Sequence, residues 1–89
     1  MVFSTVSIRS PQGLHLRQAG SLAEYALKYH SRILIEFGDK QVSAKSLLGL
    51  LSLGVRQGSE LKIICDGADE KEALEGMVSF ISRMNAENT

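Results

Sequence analysis

The apolar residues of this chain change their spacing several times within 89 residues, and that change constrains the fold more than any single motif. Alternation with a period of two gives a strand with one buried face. Recurrence every three or four residues gives a helix with one apolar stripe. "VFSTVSI" at 2–8 shows the first pattern in part and is broken by "SPQG" at 10–13, so a strand and a loop are expected. From Leu16 to Tyr29, residues Ala19, Leu22, Ala23, Ala26 and Leu27 recur at helical spacing, with Arg17, Glu24 and Lys28 on other faces. "RILIEF" at 32–37 alternates again, and "GDK" leads through a hairpin into a short third strand at "QVSA".

Ser46 stands where a short helix would begin, over "LLGLLSLG", with Gly54 placed to close it. A turn at 56–60 precedes a fourth strand, "LKIICD", which puts Leu61, Ile63 and Cys65 on one face. A last helix follows. Asp69 is placed to cap it, Glu72 stands where a capping box wants a carboxylate, and Ala73, Leu74, Met77, Val78, Ile81 and Met84 form its stripe. Fraying is expected after Met84. The order βαββαβα, without repeats or a linker, makes residues 1–89 one α+β domain, most economically three helices on one face of a four-stranded, mostly antiparallel sheet.

Composition narrows the function. Ten basic and ten acidic residues cancel, so nothing in the overall charge recommends direct nucleic-acid binding or an anionic membrane. Cys65, the one cysteine, has no internal disulfide partner and reads as a buried strand residue. With no apolar stretch near the ~20 residues of a membrane span and no leader pattern, no membrane insertion is expected, and the expected compartment is the cytoplasm.

The chemistry concentrates in "GLHLRQAG" at 13–20. A helix beginning near Leu16 has first-turn N–H groups without intrahelical partners and carries the positive end of its dipole there. His15 at the cap position is expected to stay neutral and nucleophilic in that field, and the same N–H groups can hold a phosphoryl group placed on the ring. Arg17 adds a guanidinium suited to phosphate oxygens. No Cys, Asp or second His stands nearby at ligand spacing, so no metal or other cofactor is expected. His30, near the far end of the helix, reads as a cation favoured by the helix C-terminus.

"GLHLRQA" resembles the active-site signature of the HPr family, the histidine-containing phosphocarriers of the bacterial phosphoenolpyruvate:sugar phosphotransferase system, whose pattern is Gly-Leu-His-Ala-Arg-Pro-Ala. Gly13, Leu14, His15, Arg17 and Ala19 match it; Leu16 and Gln18 depart from it. "KSLLGLLSLG" at 45–54 is similar to the family's Lys-Ser-Ile-Met-Gly-Leu-Met-Ser-Leu segment, and "DGADEKEALEGMVSFI" to its closing acidic turn and helix. The resemblance implies an open-faced β-sandwich with strand order 1-4-2-3, in place of the ferredoxin-like order that the pattern alone leaves open. It also implies that His15 accepts phosphate on Nδ1 from phosphorylated enzyme I and passes it to enzyme IIA domains, with Arg17 as phosphate partner. Such a chain is a stoichiometric carrier rather than a turnover enzyme, and is expected to work as a monomer.

Ser46 alone reads as a helix cap worth roughly 1 kcal/mol. Behind it stand Leu47, Leu48, Leu50, Leu51 and Leu53, more apolar surface than two helical turns on a small domain can bury. Leu47, Leu48 and Leu51, with Leu16 and Gln18 beside the histidine, are therefore the expected partner-binding residues. By resemblance to Gram-positive members of the family, Ser46 is the position phosphorylated by HPr kinase/phosphorylase to make a corepressor for a catabolite control protein. The alternative is a Crh-type regulatory protein that acts mainly through phospho-Ser46. Members of that type have lost the active histidine, which this chain keeps.

Overall fold

A computed structural model describes residues 1–87. Its elements run β1 Val2–Ser7, α1 Leu16–Ala26, β2 Arg32–Phe37, β3 Lys40–Ser43, α2 Leu47–Ser52, β4 Glu60–Asp66 and α3 Glu70–Glu87. The sheet is antiparallel throughout, in the order β1-β4-β2-β3. This is the α+β open-faced sandwich expected from the resemblance. No helix among the described residues is long and apolar enough to cross a membrane.

Period-two patterning decides which face of the sheet is covered. Ile33 and Ile35 of β2 and Leu61, Ile63 and Cys65 of β4 are fully buried, in register as Ile33 opposite Cys65 and Ile35 opposite Ile63. Leu22 and Ala26 of α1, Leu50 of α2, and Met77 and Ile81 of α3 meet them in one core. Each large side chain so buried contributes roughly 1.5–3 kcal/mol. Cys65 belongs to this layer, and burial is the main cause that pushes its thiol up to about 11. The other face is open to solvent, where Phe3 is exposed and the Lys62 ammonium lies 4.3 Å from its ring centroid.

One aromatic contact joins α1 to α3. Tyr25 stacks on Phe80 with ring centroids 4.7 Å apart, and its hydroxyl lies 2.9 Å from that of Tyr29. Both hydroxyls sit over Gly76, where a Cβ would come within 2.0 Å of the Tyr29 oxygen. A side chain at position 76 would have to displace both hydroxyls.

Three helix ends differ from expectation. α1 closes at Ala26 rather than Tyr29, because the N–H groups of Leu27, Lys28 and Tyr29 turn to carbonyls three residues back. Leu27 is consequently exposed rather than part of the stripe. The Lys45 ammonium donates to the freed Tyr29 carbonyl at 2.6 Å. At the start of α3, Glu70 rather than Glu72 supplies the carboxylate that reaches back, accepting from the Gly67 N–H at 3.2 Å.

Asp69 spends its carboxylate on another element: it accepts from the N–H groups of His30 at 2.9 Å and Ser31 at 2.8 Å, and from the Ser31 hydroxyl. The far end of α3 does not fray after Met84. Asn85 accepts from the Arg9 N–H and donates to the Ser7 carbonyl, both at 2.8 Å, which ties the helix to the end of β1.

The bonds from Ser31 and the His30 N–H hold the Asp69 carboxyl down to about 2, from an ordinary 3.8. A depressed carboxyl stabilises the fold fully above its unfolded value and loses that contribution as pH falls through its folded value. Asp69→Ala should therefore lower Tm at pH 7, and the gap to the parent chain should narrow as pH falls from about 4 towards about 2. Thermal melts across that range check it; a gap constant with pH would show that the Asp69 charge contributes nothing.

Candidate functional site

The loop before α1 is built by a turn in which the Gly13 N–H donates to the Ser10 carbonyl at 2.9 Å, with Pro11 and Gln12 at its corner. Gly13 has φ +69°, and a Cβ there would lie 2.3 Å from the Val55 carbonyl oxygen and 2.8 Å from the Arg56 Cα. Only glycine fits that approach. The Leu14 N–H then donates to the same Val55 carbonyl at 3.2 Å, and the Leu14 side chain enters the core. The loop is thus fixed on both sides of the residue that precedes the helix.

His15 is the N-cap of α1, with extended backbone at φ −95° and ψ −172°. Its carbonyl accepts from the Ala19 N–H at 2.8 Å, while its side chain makes no cap hydrogen bond. The ring is exposed beside the helix N-terminus. Nε2 lies 2.5 Å from the Gln12 amide oxygen, and Nδ1 has no hydrogen-bond partner among the described residues. An exposed nitrogen lone pair next to unpaired first-turn N–H groups is an arrangement that can accept an electrophilic phosphorus and hold its oxygens.

The other expected site residues divide. Leu16 is 63% exposed and borders the histidine. Arg17 makes no hydrogen bond to the ring among the described residues; it lines a cavity of about 230 Å³ between α1 and α3 together with Gln18, Ser21, Phe80, Arg83, Met84 and Glu87. Gln18, expected on the contact surface, is buried: it lies one helical turn before Leu22, on the inward side of α1. Its amide oxygen has no hydrogen-bond partner among the described residues. The sequence reading missed Gln12, although the spacing of three to His15 across a Pro-Gln-Gly turn was a signal for it.

At the second site, Ser46 is exposed and caps α2, its hydroxyl accepting from the Gly49 N–H at 3.0 Å. Leu50 and Leu53 enter the core, Leu48 is 79% exposed, and Leu47 and Leu51 are half-buried. Some leucine surface therefore faces outward as expected, chiefly at Leu48, while Leu47 and Leu51 pack partly against the core. α2 packs directly against α1, so the two helices that carry His15 and Ser46 belong to one layer.

The strand order and the exposed histidine at the head of α1 define an open-faced sandwich of the phosphocarrier class. The family model for the phosphorylation site of the phosphotransferase-system HPr component matches residues 3–83, and the chain belongs to the HPr family. It is 39% identical over 83 residues to the HPr-like protein Crh of Halalkalibacterium halodurans, covering 93% of this chain and 99% of that one. Among solved structures it is similar to HPr-C-His from Thermoanaerobacter tengcongensis, with TM-score 0.94 and 38% identity over the whole of both chains. A phosphocarrier protein HPr from Bacillus anthracis matches with TM-score 0.84 and 35% identity, over 89% of this chain and 94% of that one.

The Gln18 amide oxygen, buried without a donor among the described residues, costs stability, because a buried acceptor without a donor loses its hydration and regains nothing. Gln18→Met, close in shape and apolar, should raise the unfolding free energy by about 1 kcal/mol. Denaturant titration checks this, and an unchanged or lower midpoint would show that the amide has a partner in solution.

Proposed function

We propose that this chain is a cytoplasmic phosphocarrier in which His15 accepts a phosphoryl group from phosphorylated enzyme I and donates it to enzyme IIA domains. The observation that carries the reading is the exposed ring of His15 at the α1 N-terminus, with Nδ1 unpartnered among the described residues. In the accepting step the Nδ1 lone pair forms the new N–P bond while the N–P bond of the enzyme I phosphohistidine breaks, its electron pair leaving with the donor ring. The first-turn N–H groups and the helix dipole stabilise the phosphoryl oxygens. Arg17 would swing from the α1–α3 cavity to reach them, a motion open to an exposed side chain with no ion pair among the described residues. The protein is consumed and regenerated stoichiometrically and turns over no substrate of its own. One copy of the chain suffices for each transfer.

Leu16, Leu47, Leu48 and Leu51 form the apolar part of the docking surface in this reading. Ser46 is its regulatory position. A phosphate there adds a charge of about −1.5 to −2 at a helix N-terminus, where free N–H groups and the dipole favour it, so the fold need not change while the docking surface does. HPr kinase/phosphorylase would add that phosphate, and a catabolite control protein would read it.

A second reading, a Crh-type regulator acting mainly through phospho-Ser46, is favoured by the similarity to the HPr-like protein Crh. The two readings divide on His15. Phosphoenolpyruvate and enzyme I should label the protein with an acid-labile, base-stable phosphate that His15→Ala abolishes. No label under conditions that label a standard HPr would leave the regulatory reading. HPr kinase with ATP should add an acid-stable phosphate that Ser46→Ala removes, and the product should accept phosphate from enzyme I more slowly; a label that survives the substitution would put the site elsewhere.

A further inference from the structure

Gln12 and His15 stand three residues apart, and the turn between them brings the Gln12 amide onto the ring, Oε1 lying 2.5 Å from Nε2. An amide oxygen can only accept, so the proton in this bond belongs to Nε2. In the neutral ring the lone pair is then on Nδ1, the nitrogen without a hydrogen-bond partner among the described residues. The exposed ring has no cap hydrogen bond to its own helix, so Gln12 is the group that orients it.

We propose that Gln12 is a positioning residue for phosphoryl acceptance, holding the His15 ring by its Nε2–H so that Nδ1 points outward as the sole nucleophilic nitrogen. This rests on the phosphocarrier reading for its purpose, though not for its geometry. As the Nδ1 lone pair bonds to phosphorus and the bond from phosphorus to the leaving group breaks, positive charge develops on the ring and the Nε2–H becomes a stronger donor. Its bond to Oε1 strengthens with that charge, so Gln12 lowers the transition state more than the ground state. The Nε2 proton stays in place throughout, and no other base is required to hold it.

The placement of Gln12 is built into the backbone. Pro11 fixes one corner of the turn, the Gly13 N–H closes it on the Ser10 carbonyl, and the Val55 and Arg56 backbone leaves no room for a side chain at Gly13. Gln12 is thereby held at one side of the ring, while the first turn of α1 lies on the residue that follows.

Phosphoramidate, a small donor that needs no enzyme I, gives the test. It transfers its phosphoryl group to a ring nitrogen and loses ammonia. 31P NMR distinguishes the Nδ1 and Nε2 products, and 15N-resolved proton spectra follow exchange of the Nε2–H.

In the parent chain the Nε2–H should exchange slowly and the product should be phosphorylated at Nδ1. Gln12→Leu should speed that exchange, allow the Nε2 product to form and lower the Nδ1 rate constant by about tenfold, with Tm unchanged. Gln12→Glu, which keeps an acceptor at the same reach, should restore slow exchange. Unchanged exchange, rate and product in Gln12→Leu would overturn the proposal, as would an altered exchange with unaltered chemistry. If these results hold while enzyme I fails to label the parent chain, the carrier reading fails and the role of Gln12 in directing the ring stands.

Discussion

Gly13 and the Val55 carbonyl meet more closely than any side-chain-bearing residue would allow, with a would-be Cβ 2.3 Å from the oxygen. This contact joins the loop before α1 to the loop after α2. The same carbonyl accepts the Leu14 N–H, so one oxygen both packs against Gly13 and bonds the residue after it. Where α1 begins, which residue becomes its N-cap and which way that residue faces all follow from it. His15 can therefore be exposed and still be placed: its backbone is fixed by Leu14 on one side and the bond to Ala19 on the other, and its ring is left to Gln12.

The rest of the helical layer keeps this loop in register with the sheet. Lys45, one residue before the α2 cap, donates to the Tyr29 carbonyl in the turn that follows α1. Asp69, at the start of α3, holds the backbone that enters β2, and Asn85 ties the end of α3 to the end of β1. None of these polar ties is in the core, but each fixes a helix end to a strand end or to a neighbouring helix. Apolar burial alone would leave the helices free to slide across the covered face. With the ends tied, the open face of the sheet stays bare and the two helix N-termini that carry His15 and Ser46 keep their relation.

Much of this was legible in the sequence because patterning is local. Ile33, Ile35, Leu61, Ile63 and Cys65 alternate, and the covered face is the one they define; Ala73, Met77, Ile81 and Met84 recur at helical spacing, and they are the buried residues of α3. His15 and Ser46 both occupy the cap positions read from their neighbours. The strand order was not a local property and came from resemblance to a family.

What escaped the sequence was the choice among competing hydrogen bonds. Asp69 had a helix N-terminus within reach and bonded the His30–Ser31 backbone instead, because α3 packs beside the point where β2 begins. Asn85 prolonged a helix whose apolar stripe had already ended, through partners 76 and 78 residues away. Gln18 looked like a surface residue next to the histidine, but its position on the helix turns it inward. Arg17 stands two residues from His15 in sequence and lines the α1–α3 cavity, with no hydrogen bond to the ring among the described residues.

If His15 carries the proposed phosphoryl transfer, the close backbone contact at Gly13 is what sets it in place. The most direct measurement is the rate constant for phosphoryl acceptance from enzyme I by Gly13→Ala, taken at a temperature where the variant is folded by circular dichroism. A Cβ at this position must move the loop away from Val55, and misplacement on the order of 1 Å can cost about a hundredfold in rate. The account predicts a loss of at least about tenfold with the sheet and helices intact. A folded Gly13→Ala protein that accepts phosphate as fast as the parent chain would contradict it.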